Sequence, residues 1–431
     1  MTPPQRPAGI DVVSEALADL YQRCRGLVGG EVADYIPQLA LADPDCFGLA
    51  LVSMDGHRYH AGDSGAAFTL QSVTKPFVLA LALAELGPDQ VGLRVGCEPS
   101  GEAFNAISLD PGTGRPANPM INAGAIAVTA LVPAADPAER FERILDCLGR
   151  FAGRRLDLDG AVYRSEAETG DRNRALAYLM RGTGVLAGDP VEAADTYFRQ
   201  CSVRATVEDL AVMAATLGNG GVNPVTGEAV VPEPVAEQVL AVMATCGMYD
   251  AAGEWMLRVG LPAKSGVSGG LVAVAPGRFG VAVHSPRLDR AGNPVRGVAA
   301  LRELSERFGL HLMHNAGPGA ATVLPDGADT GTGDGGPTLL AAQGALDFTA
   351  AERLLFALDD RVPAAVPGRA PGRLVLDLDR VTALDATAEA MLTRALTLLA
   401  ERGHRIVLVG DVLGSGPWER AADREQALTT A

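Results

Sequence analysis

The run Phe77-Val78-Leu79-Ala80-Leu81-Ala82-Leu83-Ala84-Glu85-Leu86 is apolar almost all round a helical wheel. A helix of that kind cannot lie on a surface and must be enclosed by other elements. It therefore demands a large core, and it carries the preceding segment, Gln71-Ser72-Val73-Thr74-Lys75-Pro76, inside with it. Ser72 and Lys75 are three apart, which puts both side chains on one helix face. The pattern predicts a helix opened by Ser72, with the serine at an end where backbone N–H groups point outward. A serine becomes a nucleophile when a neighbour takes its proton, and a lysine of lowered pKa can do this. Taken alone, Ser-x-x-Lys arises often by chance.

The lysine usage gives the pair weight. Of 36 basic residues only Lys75 and Lys264 are lysines, the other 34 being arginines. Arginine serves at surface ion pairs but does not lose its proton in a protein, whereas a desolvated lysine does. The two lysines are thus candidates for positions that need a titratable amine. Lys264 lies in Lys264-Ser265-Gly266, just ahead of a strand, and resembles the Lys-Thr-Gly element that accompanies Ser-x-x-Lys in penicillin-binding proteins and β-lactamases.

At 431 residues the chain exceeds one compact domain, and two are expected. Residues 11–29 read as a helix, Phe47–Val52 as a strand, and His57–His60 as a second strand after the turn Asp55-Gly56. Leu271–Ala275 and Phe279–Val283 form a hairpin about Pro276-Gly277, and Val298–Phe308 a closing helix. Strands at both ends with helical patterns between them predict a sheet assembled from distant segments, with a helical lobe inserted. From 315 to 336 the chain turns to Gly, Ala, Asp and Thr and reads as a flexible linker. Beyond it, Leu374–Leu378, Ala386–Glu401 and Arg405–Val409 read as strand, helix and strand of a small α/β domain.

The net charge of −16 argues against nucleic acid and anionic membranes as partners. No run approaches the ~20 apolar residues of a membrane span. The start, Met1-Thr2-Pro3-Pro4-Gln5-Arg6, has no signal-peptide pattern, so a cytoplasmic location with reduced thiols is expected. Neither the six cysteines nor the six histidines show metal-ligand spacing, so no metal or cofactor is expected. Neither lysine follows a phosphate-binding Gly-rich loop. Gly331-Thr332-Gly333-Asp334-Gly335-Gly336 lacks the strand and helix of a dinucleotide site.

Several further strings carry polar groups: Ala33-Asp34-Tyr35-Ile36-Pro37-Gln38-Leu39, Asn118 to Gly124, Glu166, Thr169-Gly170-Asp171-Arg172-Asn173, Tyr197 to Ser202, Gly218 to Pro224, Cys246 to Tyr249, and Lys264 to Gly270. With Gln71-Ser72-x-x-Lys75, and in this order over about residues 10–314, they resemble the serine-dependent glutaminases of the β-lactamase-like superfamily. That resemblance implies an α/β fold with a β-lactamase/transpeptidase-like sheet and inserted helical lobe, and a homo-oligomer acting on L-glutamine. It implies that Ser72 attacks the side-chain amide, Lys75 accepts its proton, and Tyr249 relays a proton to the departing ammonia. The N–H groups of Ser72 and Val267 would form the oxyanion hole. Lys264 would add positive charge. Tyr35, Asn122, Glu166, Asn173 and Tyr197 would hold the substrate, with Glu166 facing the α-ammonium.

Residues 337–425 resemble an STAS domain through Gln343-Gly344-Ala345-Leu346-Asp347, Leu376 to Val381 and Leu384-Asp385-Ala386-Thr387. In anti-sigma-factor antagonists a phosphorylated serine follows that last aspartate. Here Ala386 follows it, so docking or regulation through a protein partner is expected instead. Two rival readings fare worse. A penicillin-recognising enzyme should carry a Ser-Asp-Asn or Tyr-x-Asn element, and none is found. A Gly-x-Ser-x-Gly elbow at Gly266–Gly270 needs a following helix, whereas a strand pattern follows.

Overall fold

The computed structural model describes residues 12–101, 109–314, 322–324, 337–362 and 372–429. The chain divides into two compact units, 1–314 and 315–431. In the first, a five-stranded antiparallel sheet runs in the order Arg58–Gly62, Gly48–Ser53, Phe279–His284, Gly270–Ala275, Ala263–Ser265. Its central strands come from opposite ends of the unit, Gly48 pairing His284 and Ser53 pairing Phe279.

These strands are apolar at nearly every position because both faces are covered. Leu49, Leu51, Leu271, Val281 and Val283 pack with Leu17 and Leu20 of helix Val12–Cys24 and with Leu301 and Leu304 of helix Val295–Phe308. Ala50, Val52, Val272, Val274 and Ala282 face the other way, toward the buried helix Val207–Gly218. That helix lies so close that a Cβ on Gly280 would fall 2.1 Å from the Ala215 nitrogen. Only glycine permits the contact.

The inserted lobe includes helices Asn122–Leu131, Pro137–Ala152, Gly160–Thr169, Asp171–Gly182 and Pro190–Cys201. Asp136, Asp159 and Asp189 cap three of them, each accepting N–H bonds of the first turn. A short sheet of Phe68–Thr69, Val203–Ala205 and Asp157–Leu158 ties the segment before Ser72 to the end of the lobe.

Several element boundaries differ from expectation. Ser72 does not open the α-helix but lies in a 3₁₀ turn, Gln71–Thr74, and the helix runs Lys75–Gly92. Pro76 explains this, since it has no N–H to return to the Ser72 carbonyl, which instead accepts from the Lys75 N–H. The first helix ends at Cys24, before the glycines at 26, 29 and 30.

The second unit is a four-stranded parallel sheet in the order Thr338–Leu346, Arg373–Leu384, Arg405–Val409, Glu419–Ala421. Leu340, Leu376 and Leu408 pack against Leu354 of helix Phe348–Arg361 and Leu392 of helix Ala386–Glu401. The first and last strands are additions to the sequence reading, and the second is longer than expected. Most of the expected linker lies outside the described residues. Within 322–324, the Leu324 N–H bonds the Ala341 carbonyl at 2.9 Å.

Candidate active site

Ser72 is buried, and its hydroxyl is hydrogen-bonded to the Tyr249 phenol. Tyr249 in turn donates to the Ser265 carbonyl (3.0 Å), which also accepts from Lys264 Nζ (2.6 Å). Lys264 Nζ stands 3.8 Å from the centre of the Tyr249 ring. Strand Ala263–Ser265 thus presents one carbonyl to both side chains. The Ser265 hydroxyl is bonded to the Asn293 side chain at 2.5 Å.

Among the described residues, Gln71 (φ 49°) and Tyr249 (φ 58°) alone depart from glycine in having positive φ. Each such conformation costs on the order of 1–3 kcal/mol and persists where surrounding packing imposes it. One precedes Ser72 in the chain, and the other is its hydrogen-bond partner.

The turn after Lys264 closes on the Ser72 turn. A Cβ on Gly266 would come within 3.0 Å of the Leu70 carbonyl and of Val73 Cγ2. Gly266 donates to the Gly270 carbonyl (2.8 Å) and accepts from the Gly269 N–H (2.9 Å), so the loop bearing Val267 is a closed hairpin end.

Lys75 Nζ donates to Asn122 Oδ1 (2.7 Å) and to the Met120 carbonyl (3.1 Å). Both partners are neutral, and burial outweighs the smaller opposing influence of Cys201 and pushes this amine down to about 7. Lys264 is held well below the usual lysine range, first by burial and then by the charge of Lys75. Burial pushes Tyr249 up to about 12, opposed by its bonds to Ser72 and Ser265. The site therefore combines two buried amines of lowered pKa with one phenol of raised pKa.

Ser72 opens into a cavity of about 270 Å³ with Tyr35, Asn122, Glu166, Asn173, Tyr197 and Val267 in its lining. Tyr35 OH reaches Glu166 Oε1 at 3.3 Å and Gln71 Oε1 at 3.5 Å. Asn122 links Asn173 Oδ1 (3.0 Å) to Tyr197 OH (3.3 Å) as well as holding Lys75. Burial raises the Glu166 carboxyl above its ordinary range, against hydrogen bonds from Tyr35 and Gln71.

The cavity therefore gathers Ser72, Val267 and the five residues expected to hold the substrate, whereas Tyr249, Lys75 and Lys264 are not among its lining residues. The lining also includes Gln71, Thr169, Gly170, Arg172 and Cys201, to which the sequence reading assigned no role. All five fall inside strings already singled out, so adjacency was the available signal. Asn293 had none.

The volume lies just below the ~300–1,000 Å³ typical of drug-sized ligands and suits something the size of an amino acid. A larger groove of about 670 Å³ in the second unit, lined by Glu352, Phe356, Asp359, Arg402 and His404 among others, contains no serine, cysteine or lysine. Among the described residues no group of three or more His, Cys, Asp or Glu side chains is placed to hold a metal, and no helix is long and apolar enough to cross a membrane.

The chain is similar to several known proteins. Residues 30–313 match the family model for glutaminase, and residues 332–411 match that for the STAS domain. A glutaminase of Corynebacterium efficiens is 45% identical over 92% of this chain and 92% of its own length. One of Microcystis aeruginosa is 50% identical over 69% of this chain and 88% of its own. The crystal structure of Mglu in its tris and glutamate form superposes with a TM-score of 0.83 at 38% identity, covering 98% of this chain and all of that one.

Proposed function

The chain belongs to the glutaminase family, and from that premise we propose that it hydrolyses L-glutamine to L-glutamate and ammonia through an ester on Ser72. The observation that carries this is the hydroxyl of Ser72, bonded to Tyr249 and opening into a cavity that also holds the Glu166 carboxylate.

Glu166 meets the α-ammonium of the substrate, while Tyr35, Asn122, Asn173 and Tyr197 hold the rest of the amino-acid end. Ser72 Oγ attacks the side-chain amide carbon, and its proton passes to neutral Lys75. The oxygen that gains charge is received by the N–H groups of Ser72 and Val267. Such donors are typically worth ~3–4 kcal/mol each in the transition state. As the carbon–nitrogen bond breaks, Tyr249 supplies the proton that lets ammonia leave. Lys75 returns its proton to Tyr249 and is neutral again, so a water attacks the ester with Lys75 as base, and that proton passes to Ser72 Oγ as glutamate is released. Lys264 keeps Tyr249 oriented through their shared carbonyl and, when protonated, adds positive charge.

Ser72→Ala tests the mechanism directly. Ammonia release from glutamine should vanish while the thermal transition stays near that of the parent, and substantial remaining turnover would sink the acyl-enzyme.

The second unit is proposed to dock or regulate through a protein partner, and the chain to act as a homo-oligomer. Asp385 caps helix Ala386–Glu401 by accepting from the Ala388 N–H (2.6 Å), and the residue after it carries no hydroxyl. A role other than phosphorylation at that position follows. Regulation would show as a change in KM for glutamine, at unchanged kcat, between chains with and without the second unit.

A further inference from the structure

His284 ends the strand Phe279–His284 and is buried, yet it has no part in the proposed chemistry. Its ring lies flat on Phe68, with centroids 4.1 Å apart and planes 7° apart. Its Nε2 is 3.1 Å from the Ser268 carbonyl, and its Nδ1 is 3.6 Å from Cys46 Sγ. Phe68 stands four residues before Ser72 and Ser268 directly follows Val267. One side chain thus touches both segments that supply the proposed oxyanion N–H groups.

We infer that His284 is a positioning residue, which sets the distance between the Ser72 turn and the Val267 loop by stacking on one and donating a hydrogen bond to the other. A carbonyl only accepts, so the ring proton that faces Ser268 must sit on Nε2, leaving Nδ1 to accept from the Cys46 thiol. This single tautomer satisfies every polar atom of the ring. Burial also pushes the imidazole down to about 4, which keeps it neutral at working pH. Beside it, the Ser285 N–H bonds the Gly269 carbonyl at 2.9 Å, so the far side of the loop is already pinned to the same strand. The imidazole fixes the near side. An oxyanion donor displaced by about 1 Å typically costs ~100-fold in rate, which gives a modest anchor a measurable effect.

The inference rests on the Ser72 reading, and two variants test it separately. His284→Phe keeps the stack and removes the donor, whereas His284→Gln restores an N–H at similar reach without the ring. His284→Phe should lower kcat by about tenfold, with KM for glutamine within about twofold of the parent, because the loss falls on the transition state. His284→Gln should recover most of that loss. Parental kcat in His284→Phe would overturn the inference, as would a fall in which KM, kcat and thermal stability fail together in both variants. If Ser72→Ala is inactive and His284→Phe is normal, only the positioning role falls. If Ser72→Ala stays active, the mechanism beneath it falls first.

Discussion

Lys264 and Tyr249 share one acceptor, the Ser265 carbonyl, and the lysine nitrogen lies 3.8 Å over the phenol ring. The ring face alone favours an ammonium by roughly 0.5–2 kcal/mol. Complete burial and the nearby Lys75 act the other way and win, leaving the amine readily deprotonated. Lys264→Arg preserves charge but cannot give up its proton. Its kcat at pH 8 should fall by about 100-fold, because a bulkier, permanently charged guanidinium would displace the Tyr249 phenol proposed to supply the ammonia proton, a loss on the usual scale of acid–base catalysis. Near-parental turnover in that variant would show that a fixed charge is enough there.

With Lys75 at about 7, the neutral fraction of the proposed base grows through neutrality. The rate should climb about tenfold per pH unit below that value and level off above it. A pH profile of kcat/KM that is flat from 6 to 8 would contradict this.

Lys75 also links stability to pH. Its amine is depressed in the folded chain, so between about 7 and the ordinary lysine value the unfolded chain binds the extra proton. Its burial penalty is therefore full below that window and is relieved as pH rises through it. Lys75→Met should abolish turnover, raise the melting temperature at pH 7, and flatten its dependence on pH over that range. Calorimetric scans of both proteins across pH 7 to 10 measure each effect.

Glu166 is the carboxylate proposed to meet the substrate ammonium, and burial holds its pKa above the ordinary range. Glu166→Gln should raise KM for glutamine by at least about tenfold while changing kcat less, as expected when ground-state binding is lost. In the parent, KM should rise on the acid side at a higher pH than a free carboxylate would dictate. Initial-rate kinetics at several pH values check both points.

Each unit buries its own leucine-rich core, the second through Leu340, Leu354, Leu376, Leu392 and Leu408. A polypeptide ending at residue 314 should therefore fold and retain parental kcat on glutamine. Loss of a cooperative thermal transition in that shorter chain would refute its independence.

Much of this architecture was legible in the amino acids. The hairpin about Pro276-Gly277 and the helix ending at Glu401 fall where their periodicities placed them. The Ser72 turn was misread because one missing N–H, that of Pro76, outweighs four residues of helical pattern. His284 and Asn293 carried no local signal, since what matters about them is a carbonyl and a hydroxyl brought close only by folding.

The sequence by itself determined which groups the site could use: a serine three residues before one of two lysines, a carboxylate, amides and tyrosines on loops. Spacing along the chain is local information, and those strings contain it. Tertiary structure decided what the groups can do. The Lys75 amine is near 7 because segments distant in sequence exclude water from it. Tyr249 reaches Ser72 because the edge strand Ala263–Ser265 holds it there. Charge state and reach depend on everything that packs around a group, and only the folded chain sets that.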